Sequence, residues 1–390
     1  MSKKNCSAWW RATPAGRLAA ESATSGLGRP APGGGKVIDA AKPVMTNWFE
    51  SALTRRAWLP CLWLAVMLAA TAPVAALDSP PTPTAPAPQT AAAATDAAAA
   101  YSVQEFDWTD ASRNRAVPVR LYWPAIASAS RPVPLIVFSH GIGGTRRGYT
   151  YLGQFWASQG YASLHLQHVG SDRAIWTGNV FSTVGRLQAA AQASEAMARV
   201  HDLRFALDQI LAGPMAAQID ASRLIAAGHS YGANTTLLAV GAQVERDGQL
   251  LDLRDPRLKA AIVISAPPFY GETSAERILG RIVVPSLHIT ATEDIIRVPG
   301  YFSPASDRLA VFEATGGRAK TLAVFEGGSH NIFSDRGYSG GAGLNAQVKA
   351  ATQALSMAFL GSVFDGDALG LGLWAQRFGG LLAGTTIAPR

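Results

Sequence analysis

The sequence predicts an α/β fold with a mostly parallel central β-sheet flanked by helices. From Tyr101 onward, short apolar runs alternate with longer segments of helical periodicity, which is the pattern of repeated β-α-β units. Several of the runs are continuously apolar, as expected for parallel strands that are buried on both faces. The chain has 390 residues, of which 48% are hydrophobic, so it can bury a large core.

The predicted elements follow one another in a regular order. Eight strands are expected, the first two joined by a polar turn: 103–108, 117–123, 135–138, 162–166, 224–227, 260–264, 286–290 and 321–325. Helices are expected between them and at the end: 149–159, 186–211, the segment after 230, 273–280 and 344–359. The short connection between the strands 260–264 and 286–290 leaves no room for a large lid.

The basic character of the chain belongs to its N-terminal segment. The formal net charge is +7, but residues 1–76 hold nine Lys/Arg against three Asp/Glu, and residues 77–390 hold 25 against 24. Residues 77–390 therefore lack the excess of basic residues that is typical of nucleic-acid-binding proteins. Both cysteines, Cys6 and Cys61, lie in the same N-terminal segment, so the domain has no thiol for a disulfide, a metal or a nucleophile.

Residues 45–76 have the composition of a secretory signal. A pair of arginines at 55–56 precedes an apolar run, and small residues around Ala76 would allow cleavage before Leu77. We therefore expect an exported protein, periplasmic or extracellular, with an uncleaved membrane anchor as the alternative. Residues 1–44 lack apolar periodicity, and we expect them to be a non-native or disordered extension ahead of a start at Met45.

Three further segments complete the predicted domain organisation. Residues 77–100 form a Pro/Ala-rich linker that cannot bury a core. The catalytic domain is expected over 101–364. The Gly/Leu-rich tail, residues 365–390, either docks on the domain or lies on a membrane.

A serine follows the predicted strand 224–227, in the segment GHSYG (228–232) that matches G-x-S-x-G. Such a segment makes a sharp turn from strand to helix and presents the serine hydroxyl in a strained conformation. Ser230 is therefore the candidate nucleophile. Its backbone also lies at a helix N-terminus, which favours developing negative charge.

A serine hydroxyl is a weak nucleophile unless a base and an orienting carboxylate activate it. His330 follows the predicted strand 321–325 on a glycine-bearing loop and is the candidate base. Asp294 follows the strand 286–290 and is the candidate carboxylate, with Glu293 as its nearest competitor. The resulting chain order, nucleophile then acid then base, is typical of α/β-hydrolases.

Acyl transfer also needs donors for the oxyanion of the tetrahedral intermediate. The strand 135–138 runs into the glycine-rich loop SHGIGG, residues 139–144. Glycines let this loop bring a backbone N–H close to the substrate carbonyl. The candidate donors are the amides of Ile142 and Tyr231.

Residues 101–360 resemble the secreted α/β-hydrolase esterases called dienelactone-hydrolase-like, and they are similar to the platelet-activating-factor acetylhydrolases. The segments that carry the resemblance are 139–143, which matches an SHG-apolar-G loop, and 228–233, which matches a GHS-aromatic-GG elbow except that Ala233 stands in place of the last glycine. The resemblance implies the same oxyanion donors, Ile142 and Tyr231. True dienelactone hydrolases have cysteine in place of Ser230, so the resemblance indicates the fold and says little about the substrate.

Weaker patterns concern substrate and metal. Trp176, Phe181 and Phe269 follow predicted strands at the active edge of the sheet, where they either line a substrate pocket or form local hydrophobic clusters. The pair His165-x-x-His168 has no third ligand nearby in the sequence, so no metal site is expected.

The sequence therefore predicts a serine hydrolase that cleaves a small-molecule or lipid-like carboxylic ester without a metal or organic cofactor. Membrane contact is expected only through the signal segment, or as an anchor if that segment stays uncleaved. Two alternatives remain open: an acyltransferase that uses the same three residues, and a non-catalytic binding module with an α/β-hydrolase fold.

Overall fold

The computed structural model of the protein describes residues 100–246, 249–269, 274–298, 301–335 and 342–384. The predictions for the extension 1–44, the signal 45–76 and the linker up to residue 99 lie outside these residues. Among the described residues, no helix is long and apolar enough to cross a membrane.

The strands and helices alternate along the chain. The strands are β1 (Tyr101–Asp110), β2 (Arg115–Pro124), β3 (Val133–Ser139), β4 (Ala162–Leu166), β5 (Ile219–His229), β6 (Gln243–Arg246), β7 (Gln249–Asp252), β8 (Leu258–Ile264), β9 (Ser286–Glu293), β10 (Ile296–Val298), β11 (Tyr301–Ser303) and β12 (Lys320–Ser329). The helices are α1 (Thr150–Ser158), α2 (Val180–Ala190), α3 (Ala193–Ala212), α4 (Tyr231–Ala239), α5 (Ala275–Leu279), α6 (Ser306–Ala314), α7 (Ala342–Phe364) and α8 (Gly370–Phe378).

Eight of the strands form one sheet in the order β1-β2-β4-β3-β5-β8-β9-β12. The pairs β1–β2 and β2–β4 are antiparallel, and every pair from β4 to β12 is parallel. The parallel strands therefore end at the same edge of the sheet, where the loops that follow them meet. This arrangement confirms the predicted fold class.

Helices cover both faces of the sheet. Along β3, Val137 points into a cluster with residues of α3 and α4, and its neighbour Phe138 points into a second cluster with residues of α1, α7 and α8. This alternation follows from the two-residue period of a strand. It also explains why the central strands are apolar at every position, since both faces are buried.

One prediction about helices differs from the structure. The segment predicted as one helix over 186–211 is two helices, because Gln192 is extended with φ −68° and ψ 150° between α2 and α3. The short helix predicted over 273–280 is the five-residue helix α5, and the described part of the connection between β8 and β9 contains no other helix. The hairpins β6–β7 and β10–β11 and the helix α6 have no counterpart in the sequence prediction.

The described part of the C-terminal tail packs on the domain. Trp374 of α8 is only 6% exposed, and its indole N–H donates to the main-chain oxygen of Ala351 in α7 at 2.8 Å. Farther along, Leu382 forms an isolated bridge with Phe325 of β12. Of the two alternatives for the tail, residues 365–384 therefore take the docked one.

Candidate active site

Ser230 lies in the turn between β5 and α4. Its backbone has φ 56° and ψ −123°, a region that residues other than glycine rarely occupy. The flanking glycines allow the close approach of backbone segments that this turn requires. A Cβ on Gly232 would lie 1.9 Å from the main-chain oxygen of Ser139, and one on Gly228 would lie 2.2 Å from that of Gly232.

The structure brings Ser230, His330 and Asp294 together in one hydrogen-bonded chain. His330 begins the 3-10 turn that follows β12, and its Nε2 lies 2.9 Å from the Oγ of Ser230. Its Nδ1 lies 2.7 Å from Oδ1 of Asp294, the residue directly after β9. These partners assign the ring orientation in which Nδ1–H donates to the carboxylate and Nε2 accepts a hydrogen bond from the serine hydroxyl.

Asp294 is fully buried, while the competing carboxylate Glu293 is exposed. Burial raises the pKa of Asp294, but the charge and hydrogen bond of His330, followed by the charge of Arg308, hold that pKa well below its ordinary value of 3.8. Nε of Arg308 lies 3.4 Å from Oδ1, and Oδ2 accepts a hydrogen bond from the hydroxyl of Thr290 at 2.8 Å. The carboxylate is therefore ionised and held in one orientation.

The loop that carries Ile142 runs directly beside Ser230. A Cβ added to Gly141 would lie 3.2 Å from the Cβ of Ser230. Among the described residues, the amides of Ile142 and Tyr231 donate no hydrogen bond, so both are available to a ligand. The Tyr231 amide is at the first position of α4, where the helix dipole favours an anion.

His229 supports His330 from below the turn. Its Nε2–H donates to the main-chain oxygen of His330 at 3.0 Å, and its Nδ1 accepts from the hydroxyl of Tyr149 at 2.8 Å. Burial lowers the pKa of His229 to about 3, so the ring is neutral and keeps these roles. In the sequence, His229 is indicated only by its position directly before Ser230 in the G-x-S-x-G segment.

The three predicted substrate residues lie in different environments. Trp176 is 45% exposed, and its indole N–H donates to the main-chain oxygen of Gly143 at 3.1 Å, so it borders the loop that carries Ile142. Phe181, in the first turn of α2, is 85% exposed. Phe269 is partly buried and packs against the hydrophobic cluster on the α3 and α4 face of the sheet.

A network of buried polar side chains lies behind the loop and was missed by the sequence prediction. The neutral His168 ring donates from Nδ1 to Asp202 at 3.1 Å and accepts at Nε2 from the hydroxyl of Ser139 at 3.0 Å. The Nε2 of His140 accepts from the amide of His168 at 3.1 Å. Arg199 of α3 completes this network, which no local sequence pattern indicates because its members are distant in the chain.

His165 of β4 and His168 in the loop after it do not form a common site. The ring of His165 contacts Ser163 and Phe138, while His168 contacts Asp202. Within the described ranges, no group of three or more His, Cys, Asp or Glu residues is arranged to hold a metal ion.

Comparisons with known proteins found a family model and a solved structure that are similar to this chain. A family model described as platelet-activating factor acetylhydrolase, isoform II, matches residues 114–197. That range contains the loop of Ile142 and ends before Ser230. The solved structure of a ferulic acid esterase from Streptomyces cinnamoneus matches with a TM-score of 0.52 and 22% identity, covering 70% of this chain and 93% of that chain. No curated protein sequence matches this chain.

Proposed function

We propose that this protein is a serine hydrolase that cleaves carboxylic esters through an acyl-enzyme intermediate. The observation that carries the proposal is the hydrogen-bonded chain from Ser230 Oγ to His330 Nε2 at 2.9 Å and from His330 Nδ1 to Asp294 Oδ1 at 2.7 Å. A nucleophile, a base and an orienting carboxylate in this geometry activate a serine for acyl transfer.

In the acylation half, Ser230 Oγ attacks the ester carbonyl while His330 Nε2 takes the hydroxyl proton. The carbonyl oxygen becomes an oxyanion, which the amides of Ile142 and Tyr231 stabilise. When the intermediate collapses, the bond from carbon to the alcohol oxygen breaks and His330 gives its proton to the leaving alcohol. Asp294 stabilises the imidazolium in both directions.

In the deacylation half, a water molecule attacks the acyl carbon and His330 takes a proton from it. The second oxyanion uses the same two amides. Collapse breaks the bond to Ser230 Oγ, and His330 returns the proton to the serine as the carboxylic acid leaves. Each cycle consumes one ester and one water and releases one alcohol and one acid.

The substrate is proposed to be a small-molecule or lipid-like ester. The matching family model is named for an acetylhydrolase and the matching structure for a ferulic acid esterase, and these names support ester chemistry without selecting one acyl group. Trp176 beside the Ile142 loop offers an apolar wall at the site.

We further propose that the protein is exported to the periplasm or outside the cell. The support is the order of the two arginines at 55–56, the apolar run after them and the small residues that end at Ala76. Sequencing the N-terminus of the protein recovered from the exported fraction tests this: a start at Leu77 supports cleavage, and an intact segment 45–76 indicates an anchor.

The test of the hydrolase proposal compares the wild type with Ser230→Ala on p-nitrophenyl esters of increasing acyl length. We expect kcat to fall by a factor of about 10³ or more in the variant. Ser222→Ala, a substitution of an exposed serine near the start of the same strand, is the matched control and should keep wild-type activity. Equal rates for wild type and Ser230→Ala would refute the proposal, and transfer of the acyl group to an added alcohol in preference to water would favour an acyltransferase.

A further inference from the structure

The face of α3 that packs on the sheet is charged in its N-terminal half. Glu195, Arg199 and Asp202 are all buried there, and their spacing places them on one side of the helix. Burying charges is costly unless their partners compensate for the lost water. An apolar side chain would fill this space with a smaller desolvation penalty. Packing alone therefore does not explain why these three residues are charged.

Arg199 joins the segments that form the candidate oxyanion hole. Its Nε–H donates to the hydroxyl of Thr235 in α4 at 2.9 Å, and an Nη2–H donates to the main-chain oxygen of His140. Its guanidinium also lies over the ring of Tyr231, 4.5 Å from the centroid. One planar group thus contacts the helix of the first proposed donor, Tyr231, and the loop of the second, Ile142.

A third contact fixes the Ile142 loop at another point. The Nη1–H of Arg199 donates to the hydroxyl of Ser171 at 2.8 Å, and the main-chain oxygen of Ser171 accepts from the amide of Gly143 at 2.8 Å. The peptide of Ile142 therefore lies between two anchored positions, the carbonyl of His140 and the amide of Gly143. The guanidinium of Arg199 holds the first position directly and the second through Ser171.

The charge of Arg199 is not neutralised by direct contact with a carboxylate. Among the described residues, its hydrogen-bond acceptors are the three neutral oxygens of Thr235, Ser171 and His140. The nearby carboxylates form ion pairs with other arginines: Glu195 with Arg115, and Asp202 with Arg115 and Arg113. Burial lowers the pKa of Arg199 to about 10, so the side chain stays positive at neutral pH.

We propose that Arg199 is a positioning residue for the oxyanion hole, which holds the amides of Ile142 and Tyr231 in register and adds a fixed positive charge on their buried side. This inference rests on the proposed function. Preorganised dipoles and charges near a developing oxyanion lower the barrier to acyl transfer without reorganising during the reaction. The guanidinium suits the task because its rigid fork reaches several acceptors at once.

The experiment compares Arg199→Met with the wild type in kcat, KM and affinity for an aryl trifluoromethyl ketone, which forms a tetrahedral oxyanion on the serine. We expect kcat to fall between about tenfold and a hundredfold, less than the roughly 10²–10³-fold loss for removing a donor itself. KM should stay within about threefold, and the ketone affinity should fall in parallel with kcat, because only the oxyanion state is affected.

Arg115→Met is the matched control, because Arg115 belongs to the same buried network but contacts Glu195 and Asp202 and not the Ile142 loop. Both variants should unfold at a lower temperature than the wild type, and only Arg199→Met should lose kcat. If both lose thermal stability and both keep kcat and ketone affinity, Arg199 has a structural role and the proposal is wrong.

Arg199→Lys carries the test if Arg199→Met does not fold. Lysine keeps the positive charge but not the fork, so we expect a loss of about tenfold in kcat with KM unchanged; an unchanged kcat would overturn the proposal. Ser230→Ala is measured on the same substrate. If that variant loses activity while both Arg199 variants keep theirs, only this inference fails, whereas full activity in Ser230→Ala would remove the proposed function itself.

Discussion

At the scale of single residues, environment separates two adjacent carboxylates. Glu293 is the last residue of β9 and is exposed, whereas Asp294 is buried and bonded to His330. Of these two neighbouring carboxylates, one therefore lies in solvent and the other lies in the candidate active site. The carboxylate that orients the histidine must contact its ring. Of these two carboxylates, Asp294 is the one that contacts the ring of His330.

We expect Asp294→Asn to lower kcat by a factor of about 10⁴ with a small change in KM. An amide at this position favours the wrong tautomer of His330 and cannot stabilise the imidazolium. The variant should also be less stable than the wild type, because the buried Arg308 loses the anion that lies 3.4 Å away. Steady-state kinetics and thermal unfolding measure the two effects.

Glu293→Gln is the control for this substitution, since it makes the same chemical change one residue earlier. Its kcat should match the wild type. A large loss in Glu293→Gln together with near-normal activity in Asp294→Asn would mean that the carboxylate of the site has been assigned to the wrong residue.

The residues singled out from sequence and those that were missed differ in how local their signals are. Ser230, Asp294 and His330 each follow an apolar run, so a reader of the sequence can place them at one edge of the sheet. Arg199 lies within an ordinary helical pattern, and its partners lie 28 to 59 residues away along the chain. Only the folded arrangement of α3, α4 and two loops brings these groups together.

At the scale of elements, α8 shows a helix whose position depends on tertiary contacts. It contains two glycines, and such a segment has a low intrinsic tendency to form a helix. The sequence therefore did not predict it. Its position depends on Trp374, which fills a site in the cluster of α1 and α7 and bonds to Ala351.

Trp374→Ala should reduce the free energy of unfolding by about 3–5 kcal/mol, the usual cost of removing a large aromatic side chain from a core. Leu373→Ala, at the neighbouring position that is 62% exposed, should change it by less than about 0.5 kcal/mol. Urea denaturation of both variants measures the difference. Similar values for the two would show that α8 contributes little to the stability of the domain.

The break between α2 and α3 illustrates a different limit of sequence interpretation. Residues 186–192 are rich in Ala and Gln, both good helix formers, so periodicity continues across the break. The structure ends α2 at Ala190, and the extended backbone of Gln192 separates it from α3, whose charged side chains are buried. Tertiary contacts of Arg199 and Asp202 thus outweigh local propensity.

At the scale of the whole molecule, five histidines among the described residues are buried and neutral. Burial is the main cause that lowers the pKa of each, to about 3 for four of them and well below the ordinary value of 6.5 for the fifth: His165, His168, His229 and His288, and then His140. In the unfolded chain these rings take up protons near pH 6.5. In the folded protein they do not until the pH is far lower.

We therefore expect the stability of the protein to fall steeply below about pH 6.5. Between pH 6.5 and about 3 the unfolded state binds more protons than the native state, so each such histidine costs about 1.4 kcal/mol per pH unit as the pH falls. Urea denaturation midpoints measured at pH 8, 7, 6 and 5 should be similar at the first two values and lower at each later one.

His288→Leu provides the matched comparison, because His288 lies inside β9 and bonds only to Ser286 among the hydrogen bonds of the described chain. The slope of stability against pH should decrease by up to about 1.4 kcal/mol per pH unit in this variant. A flat profile between pH 7 and 5 in the wild type would show that the buried rings titrate normally in the folded protein.

The backbone of Ser230 has a consequence for how the chain can change over generations. A non-glycine residue in the left-handed region costs on the order of 1–3 kcal/mol, and glycine at the same place would relieve that cost. Selection for thermal endurance alone would therefore drive position 230 toward glycine, whereas selection for turnover would retain the hydroxyl. At this one position, the residue that allows catalysis is therefore not the residue that would make the fold most stable.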